Sequence, residues 1–348
     1  MPVRGYCVLT MGGRLGSRAV IGAAFGVAAL VAIVLPGGAS GGDDASKPYP
    51  TRQLSIMAPA AAGGGWDTTA RAFQGASRSA KLDDGIEVFN VEGAGGTLGL
   101  SQLVSKGSGD PYQLMMTGLV MLGAIETNGS DVPLSRTTPI ATLITESEGI
   151  VVPAKSKYRS FKDLVADFKA DPGSIRWAGG SAGSTDQLLV GELARVLGAD
   201  PKDTKYVAHS GGGEANAAIL SGSVDAGVSG VSEFTDQVEA GKMRLLAVSA
   251  PVDTKIGGKK PPTIKDEGID LELTNWRALV APPGISDAER ARITAWVKKV
   301  AATPDWKKNL ERYDWTPFVK TGDELDDFVA SEQKQVQAVV DGLGIGKQ

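Results

Sequence analysis

Glycine limits what this chain can become more than any other feature. The sequence has 46 glycines in 348 residues, about 13% against a usual ~7%, and they gather in short clusters with no repeat. With 42% hydrophobic and 22% charged residues the rest is ordinary globular composition, which excludes a disordered chain, a collagen-like fibre and a polytopic membrane protein. The clusters are therefore special loops within a folded core.

Around them, short apolar strands alternate with helical patterns, and glycine stands at the strand-to-helix joints. Strands are expected over 53–58, 86–91 and 113–117, with helices over 67–80 and 97–106 between them. After Gly149-Ile150-Val151-Val152-Pro153 the alternation restarts, with helices over 160–170, 184–197, 214–220 and 232–240 and strands over 175–178, 205–208, 225–228 and 244–248. A strand-like run over 271–281 precedes helices over 286–302, capped by Ser286, 304–312 and 323–340. This βαβ rhythm implies a parallel sheet covered on both faces, in two α/β units. The closing helices need a sheet to cover, and the first unit is the economical one. Residues 149–153 and 273–281 then cross between two lobes: a discontinuous lobe of 52–150 plus 276–348, and a continuous one of 151–275.

The N-terminus carries Arg4, Arg14 and Arg18, an apolar stretch from Ala19 to Leu35, and then small residues up to Ser40. That order reads as an export signal over 1–39, cleaved near Ala39, or as an uncleaved anchor of the same segment. Residues 40–51 are small, polar and proline-bearing and read as a flexible linker. The chain has 36 basic and 40 acidic residues, and removing 1–39 takes away three arginines and no acid, leaving −7. Such a balance disfavours nucleic acid as a partner. The one cysteine, Cys7, precedes the apolar run, so it cannot be the acylated cysteine of a lipoprotein signal. Disulfides, zinc-thiolate centres and cysteine nucleophiles are excluded beyond it, and a single histidine, His209, excludes a histidine-rich metal site. No metal and no cofactor are expected.

Five glycine-rich loops follow expected strands: 59–67, 93–97, 179–185, 210–214 and 227–230. Glycine lets backbone N–H groups turn toward a ligand, and a helix N-terminus adds partial positive charge. Each loop alone is equally a tight turn. Five at corresponding strand ends point to a ligand, because open α/β sheets bind at the carboxyl ends of their strands. Within these glycine-rich segments there is no lysine or arginine, so an anion there is expected to be held by amides and hydroxyls without a basic side chain. Gly179-Gly180-Ser181-Ala182-Gly183 also matches the G-x-S-x-G elbow of serine hydrolases. His209 is its sole possible base, only 28 residues beyond Ser181, and Asp186, Asp200 or Asp203 would have to serve as acid from improbable places in that short span. The plainer reading makes Ser181 a ligand contact or helix cap. Asp67 opens a helix after three glycines, as a first-turn carboxylate or a ligand acceptor, and Trp66 and Trp276 read as packing residues.

The runs 59–71, 90–97, 178–188, 207–213, 240–248 and 275–282, in that order, resemble the receptor of tripartite tricarboxylate transporters, the TctC/Bug type. The resemblance runs from about Gln53 to the C-terminus. It implies a type II periplasmic-binding-protein fold with two α/β lobes joined by crossing strands and a carboxylate pinched between them. It also implies a membrane permease of one large and one small subunit. Carried over by position, the ligand contacts are Ala62, Gly63, Gly64, Gly65 and Asp67 on one lobe and Ser181, Gly183, Ser184, Thr185 and Ser229 on the other. Glu92 stands where proline is usual, Gln187 where histidine is frequent, and Ser229-Gly230 where an Asp-Asn pair is common. The resulting expectation is an extracytoplasmic, monomeric receptor that captures a small di- or tricarboxylate and performs no covalent chemistry. The alternatives are a sensory receptor serving a signalling partner and, from another class, a hydrolase acting through Ser181.

Overall fold

The computed structural model describes residues 49–253 and 255–346. The expected signal or anchor over 1–39 lies outside the described residues. Tyr49, placed by the sequence in the linker, is already packed: its ring meets Tyr112 and Trp296, and its hydroxyl donates to Pro111 O at 2.7 Å.

Along the chain come β1 (Leu54–Ala58), α1 (Gly65–Ser79), β2 (Ile86–Asn90), α2 (Thr97–Lys106), β3 (Gln113–Gly118), α3 (Leu119–Asn128) and β4 (Thr138–Pro153). Then follow α4 (Phe161–Ala170), β5 (Arg176–Gly179), α5 (Thr185–Val196), β6 (Lys205–Ala208), α6 (Gly212–Ser221), β7 (Ala226–Gly230), α7 (Val231–Glu239) and β8 (Met243–Val248). The chain closes with β9 (Thr274–Ala281), α8 (Asp287–Ala301), α9 (Pro304–Tyr313), β10 (Thr316–Pro317) and α10 (Asp323–Leu343). Most elements fall within a residue or two of the sequence expectation, and local chemistry explains why. Trp66, Ala70, Phe73 and Ser77 make the buried stripe of α1 at helical spacing. Ser286 and Glu289 form a reciprocal capping box on α8, and Pro304 follows the Thr303 cap of α9.

Three elements escape the periodicity argument, the two-residue β10 being the shortest. Helix α3 reads Leu-Val-Met-Leu-Gly-Ala-Ile and is buried all round, so it has no polar face to betray a helical period. Strand β4 is 16 residues long, whereas only 149–153 read as strand; its earlier part buries threonine, serine and glutamate among apolar residues.

The sheet runs β2-β1-β3-β9-β4-β7-β5-β6. The β2-β1-β3 and β7-β5-β6 sets are parallel, as expected, but β9 and β4 run antiparallel to their neighbours. Strand β4 pairs with β9 from Thr138 to Ser147, and from Glu148 onward with β7 on one side and, from Gly149, β8 on the other. One side of this exchange buries a core containing Phe73, Leu114, Trp276, Trp296 and Trp306. The other buries Phe161, Phe168 and Trp177, with a smaller cluster around Phe234 and Ile219. Helices α8 and α9 lie against α1, as the sequence implies, but α10 touches both α3 and α5.

That last contact rests on Leu343, 1% exposed, which fills the space over Gly191, where an added Cβ would stand 2.6 Å from Leu343 Cδ1. Leu343→Ala should cost roughly 2–5 kcal/mol in urea denaturation, and a loss within error of zero would show that the end of α10 is not part of the packed core.

Candidate functional site

A cavity of about 390 Å³ lies at the carboxyl ends of the strands, and all five glycine clusters contribute to its wall together with Asn275 and Arg277 of β9. Of the expected contacts, Gly64, Gly65, Ser181, Ser184 and Ser229 line it. Ala62, Gly63, Asp67, Gly183 and Thr185 are not among the lining residues, for identifiable reasons in three cases. Gly63 N donates to Asp67 Oδ2 at 2.9 Å, which leaves both engaged with each other. Gly183, at φ +75°, lies hard against α3: an added Cβ would stand 2.6 Å from Gly123 O and 2.4 Å from Thr127 Oγ1. Its N–H donates to Gln187 Oε1 at 2.8 Å.

The cavity does contain a basic side chain, contrary to the expectation of an anion site made of amides and hydroxyls alone. Arg277 is 3% exposed and pairs with Glu146, itself 1% exposed. It also donates to Thr69 Oγ1 at 2.9 Å and lies 5.6 Å from the centre of the Trp315 ring. The arginine was hidden from a survey of the glycine loops because it comes from β9, in the middle of a buried strand. Glu146 further accepts from the Ser232 hydroxyl and, at 3.2 Å, from its N–H.

The glycines make this arrangement possible. A Cβ on Gly65 would stand 2.4 Å from the Arg277 guanidinium, and one on Gly230 would stand 2.7 Å from three atoms of the Glu146 carboxylate. A side chain at either position would require the guanidinium or the carboxylate to shift. Gly230, where an Asp-Asn pair is common in the family resembled, leaves the room that the Glu146 carboxylate occupies.

Four helices that begin at or beside the cavity carry an acid in their first turn: Asp67 in α1, Asp186 in α5, Glu214 in α6 and Glu233 in α7. Three of them reach back to the preceding loop, Asp67 to Gly63 N, Asp186 to Gly180 N at 2.6 Å and Glu214 to Ser210 N at 2.9 Å. These helix ends, which the sequence suggested for a ligand anion, are thus partly satisfied from within. Helix α2, behind the 93–96 loop, has no acid in its first turn.

The acids differ in protonation. Burial works against the Asp67 anion, but Arg71, Gly63 N and Asn90 outweigh it and lower its pKa. Burial raises Asp186 to about 6, with the nearby Glu146 charge adding to the effect against the Gly180 amide. Burial and the Glu146 charge raise Glu233 to about 7, although Arg277 opposes them and the Ser229 hydroxyl donates at 3.0 Å. Glu148, fully buried with no partner for either oxygen among the described residues, is pushed well above the usual range by burial and then by Asp186. Glu146, Glu148, Asp186, Glu233, Asn275 and Arg277 were all missed as site residues, apart from Asp186's mention as a possible hydrolase acid. A pair of glutamates two apart in a buried strand was the one available signal.

Ser181 and His209 both line the cavity, but no hydrogen bond joins them among the described residues, and His209 Nε2 has no partner. The nucleophile–base contact of a hydrolase is absent there. No cluster of three or more metal-ligating side chains occurs among the described residues.

A mixed sheet of two α/β halves, with a cavity between the loops of both, defines a periplasmic-binding-protein fold. Residues 70–345 match the family described as the tripartite tricarboxylate transporter family receptor, TctC, and the chain belongs to that family. A protein of Cupriavidus necator described as the UPF0065 protein in the gbd 5' region is 27% identical over 303 residues, covering 86% of this chain and 90% of that one. The solved structure of the periplasmic binding protein BugD superposes with a TM-score of 0.75 at 21% identity, over 86% of this chain and all of BugD. Rpa4515 of R. palustris, solved with adipate, gives 0.74 at 20% identity, over 86% and 99%.

Two outcomes are expected. Gly65→Ala should destabilise by about 1–3 kcal/mol through overpacking on Arg277, whereas Gly75→Ala, in α1 with nothing within 4 Å, should stabilise by roughly 0.5–1 kcal/mol. Equal effects in thermal melts would dismiss the crowding argument. Asp186 and Glu233 hold their protons more tightly folded than unfolded, so their contribution favours the fold at acid pH and fades as pH rises through about 6 and about 7. The ligand-free protein should lose on the order of 2 kcal/mol between pH 5 and 8, and Glu233→Gln should flatten that slope. A stability that rises over this interval would contradict the assignment.

Proposed function

We propose that the chain is an extracytoplasmic solute receptor, which captures a small organic carboxylate and delivers it to a membrane permease of one large and one small subunit. The observation that carries this reading is a cavity walled by loops from both sides of the β4 exchange in a TctC-family chain. The adipate carried by the Rpa4515 structure supports a carboxylate ligand. Residues 52–150 with 276–348 form one lobe and 151–275 the other, and they close by a hinge at the crossing strands, since ligand contacts to both halves exist together only in the closed state. Residues 1–39 serve export, as signal or anchor. The receptor acts as a monomer, without covalent chemistry.

Ligand carboxylate is held by the 93–96 loop, by the N–H groups that open α1 and by the Ser181 and Ser184 hydroxyls. A thermal-shift panel of mono-, di- and tricarboxylates and acidic amino acids tests the reading. A ligand present at 100 times its dissociation constant should add ~2.7 kcal/mol, and Ser181→Ala should weaken that ligand about tenfold or more. A panel without a single shift would sink the proposal, and covalent labelling of Ser181 by a phosphonate ester would revive the hydrolase.

A further inference from the structure

Helix α3 stands where the two walls of the cavity meet, and its Val120 and Asn128 belong to the lining. Its last turns touch loops from both sides. Toward the 93–96 loop, Asn128 Nδ2 donates to Ala94 O at 2.9 Å, and a Cβ added to Gly95 would stand 2.5 Å from Ala124 Cβ. Toward the 181–184 loop, the Thr127 hydroxyl shares its proton between Gly123 O at 2.9 Å and Ala182 O at 3.3 Å. One helix thus sets the positions of two cavity loops.

The contact between α3 and the 181–184 loop is made by backbone. Gly123 and Gly183 are both buried, and a Cβ added to Gly123 would overlap Gly183 O. Because that obstacle is main chain, no side-chain rotation makes room for a methyl group, and the loop as a whole would have to withdraw. The loop is otherwise self-contained. Ser184 N donates to Ser181 O at 2.9 Å and Gly183 N to Gln187 Oε1 at 2.8 Å, so it can leave α3 with its own bonds intact. Helix α5, which follows the loop, rests on the same surface: its Leu188 joins the buried core of Met121 and Leu122, and α10 touches both α3 and α5.

We infer that α3 is the latch between the lobes. Gly123 and Thr127 are positioning residues: they seat the loop that carries Ser181 and Ser184, and the seat, made by the chain alone, favours the closed receptor independently of ligand. This rests on the two-lobe reading, in which α3 belongs to 52–150 and the 181–184 loop to 151–275. Contacts that exist only when the lobes meet bias the equilibrium toward closure whether or not a ligand contributes more. Glycine at 123 also weakens α3 relative to alanine, and only the closed arrangement has use for the missing methyl group.

Small-angle scattering of the ligand-free protein reads the latch directly. Gly123→Ala should increase the radius of gyration over wild type while the melting temperature stays equal or rises, because alanine favours the helix once the loop has withdrawn. Gly75→Ala, in α1 with nothing within 4 Å, is the control and should leave the scattering unchanged. Thr127→Phe, at a half-buried position against Gly183, should open the receptor from the same helix, whereas Thr127→Ser keeps the hydroxyl and should not. Scattering by Gly123→Ala and Thr127→Phe that superposes on wild type, with native melts, overturns the latch and leaves the two lobes standing. Equal opening by Thr127→Ser or Gly75→Ala also overturns it, since the effect would not come from the seat. Should Gly123→Ala fail to fold, Thr127→Phe decides in its place. Loss of the native melt in both shows that α3 and the loop are one packing unit, which overturns the latch and the two-lobe reading together.

Discussion

A guanidinium at 3% exposure has to be answered where it stands, and the centre of this molecule is organised around answering Arg277. Removing one partner of such a buried pair typically costs about 3–5 kcal/mol, because the remaining charge is stranded in a medium that cannot solvate it. Glu146 supplies the opposite charge from β4, Thr69 a hydrogen bond from α1, and Trp315 an aromatic face. Two glycines complete the arrangement by absence, since Gly65 and Gly230 leave the volume that the guanidinium and carboxylate occupy. One ion pair thus ties β4, β9, α1 and the start of α7 to each other at the base of the cavity.

The pair sits where the sheet changes partners, and the change is stitched with hydroxyls. Between Ser147 and Glu148 the β4 ladder passes from β9 to β7 and β8. Ser147 Oγ donates to Ala250 O at 2.9 Å, Ser249 Oγ lies 2.9 Å from Glu148 N as its acceptor and donates to Leu273 O at 2.5 Å. Residues two apart in a strand share a face, so Glu146 and Glu148 point one way while Ser147, between them, points the other. The alternation that elsewhere separates core from solvent here separates a charge network from a hydroxyl network. Both are buried, which is why this part of β4 does not look like a strand in sequence.

What could be read from the sequence follows from this. The βαβ elements were legible because their signals are local: the stripe of Trp66, Ala70 and Phe73, the Ser286–Glu289 box, and glycine at the joints. The cavity's five loops were legible for the same reason. Helix α3 and the first eleven residues of β4 were not, because α3 buries an unbroken apolar run and β4 buries polar residues among apolar ones, so neither shows a polar face opposite an apolar one. The site's charges were the least legible. Arg277, Glu146 and Asp186 lie 40 to 131 residues apart in sequence, and their meeting is a property of sheet order alone. The glycine loops also carried a real ambiguity: a missing Cβ serves a ligand's approach to the backbone and a neighbouring side chain's need for room equally well. At Gly230 the space beside the missing Cβ is taken by the Glu146 carboxylate.

The first-turn acids carry the argument one step further. Asp67, Asp186 and Glu233 occupy the same local position near a helix start, where the backbone favours an anion, yet their pKa values move in opposite directions. Asp67 has a guanidinium, an amide side chain and a backbone N–H around it and is lowered. Asp186 and Glu233 have fewer donors and face other carboxyls across a low-polarity floor, and they are raised. Local sequence therefore decides where a carboxyl is placed, and the strands that cross beneath it decide whether it is charged.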